Sequence, residues 1–225
     1  MARKIPEGEF RNKERTKLKL IHAVGEIIRT EGYTRLGVNR IACAAGVSKK
    51  LIYRYFGTAD NLIETYIKSK DYWMVFRESI GELADRHGGD WGKGFMAPIL
   101  QNLYEHLSGH PEAQKIILWE ISEKSRLMRE ISAAREKLGT GLFAMIDPLF
   151  EKTNVDIRAI LALLLGGVYY LSLHTNATGG SFCEIGIEKE ERQKRLFKSL
   201  EDILEWAYAE AARQRRAKQS KGHEP

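Results

Sequence analysis

Apolar residues recur along this chain every three or four positions, the spacing that gathers them on one face of an α-helix. Leu20, Ile21, Ala23, Val24, Ile27 and Ile28 trace such a face and predict a first helix over 13–31, ended by Gly32 in the place of a left-handed cap residue. A short second helix is predicted over 38–45 and a third over 48–56. Thr58 caps a fourth, longer helix that carries Leu62, Ile63, Tyr66, Ile67, Trp73 and Phe76. Gly88-Gly89 interrupts the pattern. Helices are then expected over 92–108, 111–122, 124–150, 156–176 and 189–212, with a loop at 178–181. No segment alternates apolar and polar residues over the length of a strand, and nothing repeats with a period of 20–50 residues. The expected fold class is all-α.

The most informative stretch is Gly37 to Phe56, GVNRIACAAGVSKKLIYRYF. With Gly46 as a pivot, Ile41 and Ala42 lie five and four residues before it, Val47 follows it, and Ile52 and Tyr55 lie six and nine residues after it. Ala42 is small enough for a second helix to cross closely, Gly46 can take positive φ in the turn, and Ile41, Val47 and Ile52 can share a miniature core. That is the arrangement of a helix-turn-helix. Ser48 can cap the helix that follows, whose first-turn N–H groups favour an anion such as a phosphate. Burial of Val47, Ile52 and Phe56 turns Lys49, Lys50, Tyr53 and Arg54 outward, a face suited to a major groove edged with phosphates. Two helices of an ordinary bundle joined by a glycine turn would show the same pivot.

Charge sharpens the picture. The 225 residues carry +6, unevenly spread. Residues 1–60 hold 13 Lys/Arg against 6 Asp/Glu, residues 61–210 hold 18 against 23, and residues 211–225 hold 5 against 1. A basic end on an acidic body fits a nucleic-acid-binding module attached to something else, although a solvated surface can also be basic. Apolar residues at 43% and charged residues at 29% indicate a globular chain long enough to bury a core. Two distant cysteines, Cys43 and Cys183, exclude a disulfide scaffold and a CxxC metal or redox site; Cys43 reads as a small core residue. The N-terminus lacks the apolar segment of a signal peptide, and the longest apolar run, 159–173, is short for a membrane span. A cytoplasmic protein without membrane contact is expected.

Gly32-Tyr33, Ile41-Ala42, Ala45-Gly46-Val47-Ser48 and Tyr53-Arg54-Tyr55-Phe56, together with the first helix, resemble the N-terminal domain of the TetR/AcrR transcriptional regulators over about residues 13–66. The resemblance implies an N-terminal three-helix helix-turn-helix DNA-binding domain and a larger C-terminal helical ligand-binding and dimerisation domain. It implies a homodimeric regulator, typically a repressor that leaves a palindromic operator when a small-molecule effector binds and moves the fourth helix. Carried over by position, Lys49, Lys50 and Leu51 would face base edges, Ser48, Tyr53 and Tyr55 would hold phosphates, and Asn39 would stand near the groove. The chain departs from the family where Gly37 replaces a usual Thr, Lys50 a frequent Gly, and Ala59 a common phosphate-contacting Lys. The expected organisation is a flexible basic arm at 1–12, the DNA-binding domain at 13–66, the ligand and dimer domain at 67–212, and a disordered basic tail at 213–225.

Past residue 70 the reading rests on helical pattern alone. The 156–176 helix is apolar nearly all round and its Gly166-Gly167 allows close approach; the last helix carries a stripe. Leu161, Leu165 and Val168 with Leu196, Leu200, Ile203 and Leu204 would make a four-helix interface between two subunits, or else an intrachain core. Trp73, Phe76, Tyr104, Trp119, Phe143, Tyr169 and Tyr170, with His174 as a polar handle, could line an effector pocket or simply fill the core. His106 and His110 lack a third ligand, so no metal or other cofactor is expected, and no catalytic motif is present. An all-α ligand carrier or enzyme, or a helical adaptor, remains open beside the DNA-binding regulator.

Overall fold

The computed structural model describes residues 7–221. Ten helices occupy these residues: α1 (Glu7–Thr30), α2 (Val38–Ala44), α3 (Lys50–Phe56), α4 (Ala59–Lys70), α5 (Tyr72–His87), α6 (Lys93–Gly109), α7 (Pro111–Ser122), α8 (Arg126–Phe150), α9 (Ile157–Thr178) and α10 (Glu190–Lys221). Short 3-10 turns lie at Tyr33–Arg35 and Gly88–Asp90. Among the described residues there is no strand, only an isolated bridge between Phe182 and Ile185. The all-α expectation holds.

Two compact units form, and they cut across chain order. The first comprises residues up to Val75 together with Pro111–Ala134; the second comprises Phe76–His110 and everything from Arg135 onward. The first unit therefore ends nine residues beyond the expected boundary at 66, and takes in α7 and the start of α8.

In the first unit the apolar face read from the sequence is buried: Leu20, Val24, Ile27 and Ile28 of α1 meet Ile41 of α2, Ile52 of α3 and Leu62 and Ile67 of α4, with Ile116, Met128 and Ile131 closing the core. Trp119 of α7 stacks flat on Tyr33, ring centroids 5.1 Å apart. Tyr66 of α4 donates a 2.6 Å hydrogen bond to the Glu112 carboxylate, which also pairs with Lys70. Burial, with that carboxylate beside it, holds the Tyr66 phenol protonated far above the ordinary tyrosine range. The fourth helix is two helices. Asp71 leaves helical geometry (φ −73°, ψ 123°) and its side chain accepts the Met74 N–H, starting α5.

In the second unit α6 packs along α9 and α10. Phe95, Ile99 and Leu103 are fully buried, Tyr104 meets Phe197 edge to face, and Phe150 meets Tyr208 likewise. The Tyr208 hydroxyl donates to the Trp91 carbonyl.

Both ends differ from expectation. Residues 7–12, expected as a flexible arm, belong to α1; residues 1–6 lie outside the described residues. The expected disordered tail is helical through Lys221, while 222–225 lie outside the described residues. Ala, Arg, Gln and Lys are good helix formers, and the segment has partners: Gln214 accepts the Asn154 N–H, and Arg215 donates to the Pro148 carbonyl. α9 is also longer than its apolar core. By length and composition alone its 22 residues could cross a bilayer, a test that the core helix of a globular protein also passes.

Candidate nucleic-acid interface

The turn between α2 and α3 is built by hydrogen bonds that only a left-handed residue allows. Gly46 has φ +64°; its N–H donates to the Cys43 carbonyl and the Val47 N–H to the Ala42 carbonyl, so α2 ends in a double cap. Nothing lies within 4 Å of a Cβ added at Gly46, so the cost of a side chain there is backbone strain alone. We expect Gly46→Val to lower stability by about 1–2 kcal/mol, read as a shifted denaturation midpoint. An unchanged midpoint would show that the turn tolerates other geometry.

Ile41 and Ile52, both fully buried, anchor the two helices to α1 and α4, and Ala42 is buried between them. Val47, Tyr55 and Phe56 pack partly against the same core. The opposite face carries Asn39, Ser48, Lys49, Lys50, Tyr53 and Arg54, all exposed, Tyr53 by 52%; Leu51 is half-buried at its edge. The Lys49 ammonium donates to Asn39 Oδ1 at 3.3 Å. The Arg54 guanidinium lies 5.9 Å from the Tyr55 ring centroid. Lys50 and Arg54 have no acidic partner among the described residues. Arg40, by contrast, is held by Glu31, whose carboxyl the Arg40 hydrogen bonds keep below the ordinary carboxylate range. The face is therefore rigid below and rich in cationic donors above, which suits a ladder of phosphates and the acceptor-rich edges of bases.

Several details depart from the sequence reading. Ser48 makes the expected capping bond, but loosely: its Oγ accepts the Lys50 N–H at a long 3.4 Å, while Lys49, already in helical geometry, stands between it and the start of α3 at Lys50. Cys43, expected in the core, is exposed. Arg54 belongs to the site by exposure and charge, and its outward position was legible in the sequence.

The expected pocket residues are scattered. Trp119 is core of the first unit, and Trp73 meets Tyr72 edge to face in that same unit. In the second unit Tyr104 is buried against Phe197, Phe143 lies beneath the Arg158 guanidinium, Phe76 and Tyr169 are half-buried, and Tyr170 and His174 stack on each other beside Phe182. His106 and His110 stack, and no group of three or more potential metal ligands occurs among the described residues.

The residues read as a subunit interface or an intrachain core are mostly packed within the chain. Leu161, Val168, Leu200 and Leu204 are buried within the chain, and Leu165 and Leu196 are half-buried. Ile203 is exposed, and the large apolar side chains left bare on the same two helices are Leu163 at 77%, Tyr170 at 51% and Trp206 at 68%. The reason is that α6 covers the face of α9 and α10 that carries the leucines.

Comparison with known proteins agrees with this geometry. Residues 20–66 match the family model described as bacterial regulatory proteins, tetR family. No curated protein matches the chain. Among solved structures, a TetR-like transcriptional regulator from Rhodococcus sp. RHA1 is 15% identical, with 86% of this chain and 93% of that one covered at a TM-score of 0.54. The transcriptional regulator FadR from Bacillus subtilis, in complex with stearoyl-CoA, is 18% identical, covering 83% and 96% at 0.55. The fatty acid degradation regulator FadR from Bacillus halodurans is 17% identical, covering 83% and 96% at 0.53. At these identities the likeness is one of fold.

Proposed function

We propose that this chain, whose residues 20–66 match the family model of bacterial regulatory proteins, tetR family, is a DNA-binding transcriptional regulator that works in the cytoplasm as a homodimeric repressor released from a palindromic operator by a small molecule. The observation that carries the reading is the α2–α3 face: Lys49, Lys50, Tyr53 and Arg54 exposed on helices pinned by Ile41 and Ile52 about the Gly46 turn. Lys49, Lys50 and Leu51 face base edges. Ser48, Tyr53 and Tyr55 meet phosphates, which fix register without reading sequence.

The second unit, with α5 entering it from the first, serves as the effector and dimer region. Leu163 and Tyr170 of α9 and Ile203 and Trp206 of α10 are the exposed apolar side chains available to an interface, isologous in a twofold dimer. We read α9 as this interface and not as a membrane span. Asp156 caps it, Arg158 pairs with Asp147 within its first turn, and α6 lies along it. The B. subtilis FadR structure holds stearoyl-CoA, so an acyl-CoA is the effector class with which release is tested first.

The reading is tested on a bound duplex. Tyr53→Phe is expected to weaken all sequences alike, by about tenfold for a lost hydrogen bond to a charged phosphate, whereas Lys50→Ala changes base preference at one position of each half-site. Identical binding profiles for the two variants would refute these roles.

A further inference from the structure

We infer that Asn39 and Lys49 act as one recognition unit that selects guanine at one position of each operator half-site. The inference rests on the DNA-binding reading above and adds to it the identity of a base. Asn39 is the second residue of α2 and Lys49 the residue before α3, so their 3.3 Å hydrogen bond bridges the two arms of the motif across the Gly46 turn. Its polarity is fixed by chemistry. An ammonium has three donors and no acceptor, so it can meet the amide only at the oxygen. The backbones at either end are held by Ile41 and Ile52, both fully buried, so the exposed pair sits on a rigid base.

Lysine alone is a flexible point charge, and ordering it costs rotamer entropy. Asn39 orders it before any duplex arrives. The bond also changes what Asn39 presents. With a positive charge seated on its oxygen, Asn39 offers its NH2 group, and Lys49 retains two N–H donors. A second donor approaching that oxygen meets the ammonium. The pair therefore presents hydrogens to the groove. Guanine there shows two acceptors, N7 and O6, while adenine shows one acceptor and an amino donor. The donor pair satisfies guanine and sets adenine's amino group against another donor. An asparagine without the lysine behaves in the opposite way, because its oxygen and nitrogen together match adenine. Lys49 thus decides which base Asn39 accepts, and Asn39 is a positioning residue for Lys49 as well as a reader.

The test is selection of bound duplexes from a random pool, run in parallel on the full-length wild type, Lys49→Met and Asn39→Ala. The wild type is expected to enrich guanine at one position in each half-site. Lys49→Met should shift that position toward adenine by about tenfold in relative enrichment, and Asn39→Ala should lose the preference there while other positions keep theirs. An unchanged guanine preference in Lys49→Met overturns the inference and leaves DNA binding standing. So does an intact base profile in Asn39→Ala with affinity lowered for all sequences alike. A wild type that enriches no sequence overturns both readings. Helical content measured on each variant confirms that the exposed substitutions leave the fold in place.

Discussion

Leu163→Arg is expected to convert the proposed dimer to a species near 25.7 kDa in sedimentation at micromolar concentration, and to lower operator affinity by about a hundredfold or more. Leu163 is 77% exposed in the single chain, so the substitution costs the isolated subunit little. In the proposed twofold interface the same residue comes from both sides, and each copy would bury an unpaired guanidinium at a cost of several kcal/mol. The affinity loss follows from geometry. Two reading helices on one body bind the second half-site as an intramolecular event, and separate subunits do not. Trp206→Glu, one helix away in sequence and 68% exposed, should act the same way. A Leu163→Arg protein that remains dimeric would place the interface elsewhere.

Gly25→Val carries the second large effect, on stability. A Cβ at Gly25 would lie 2.7–2.9 Å from Cε2, Cζ and the hydroxyl of Tyr66. Those atoms end a side chain, yet they cannot swing away: Tyr66 is 3% exposed and its hydroxyl is bonded to Glu112. Either α1 and α4 move apart, or the ring shifts and the bond to the carboxylate is lost. Overpacking of a core costs about 1–3 kcal/mol, and a hydrogen bond to a charged group contributes about 1.5–3 kcal/mol. A loss of about 3 kcal/mol lowers the melting temperature by about 6–12 °C for a chain of this size. An unchanged melting temperature would mean that the α1–α4 crossing is looser than the structure describes.

The motif was legible because its chemistry is local. Gly46, Ile41, Ala42, Val47 and Ile52 lie within a dozen residues, and their offsets alone specify a turn, a close crossing and a shared core. The outward basic face follows once those positions are buried. The elements misread are those decided by partners far along the chain. Trp119 looks like any aromatic of a middle helix, and only the return of α7 to the first unit makes it the stacking partner of Tyr33. The α9 leucines carry no mark of which face α6 will cover, so periodicity found the apolar helix but left Leu161 and Val168 between a subunit interface and an intrachain core, and did not single out Leu163 as the bare leucine. Arg215 reads as a tail residue until the Pro148 carbonyl is found beside it. The break at Asp71 had a local signal, an acidic capping residue between two apolar runs, and the helical pattern on either side masked it.

Selection of duplexes by the wild-type protein tests the central claim most directly. The account predicts an enriched inverted repeat whose half-sites lie one helical turn, about 34 Å, or a small multiple of it apart, with affinity falling steeply as salt rises. A pool that emerges without any enriched sequence, in low salt as well as in high, would contradict it.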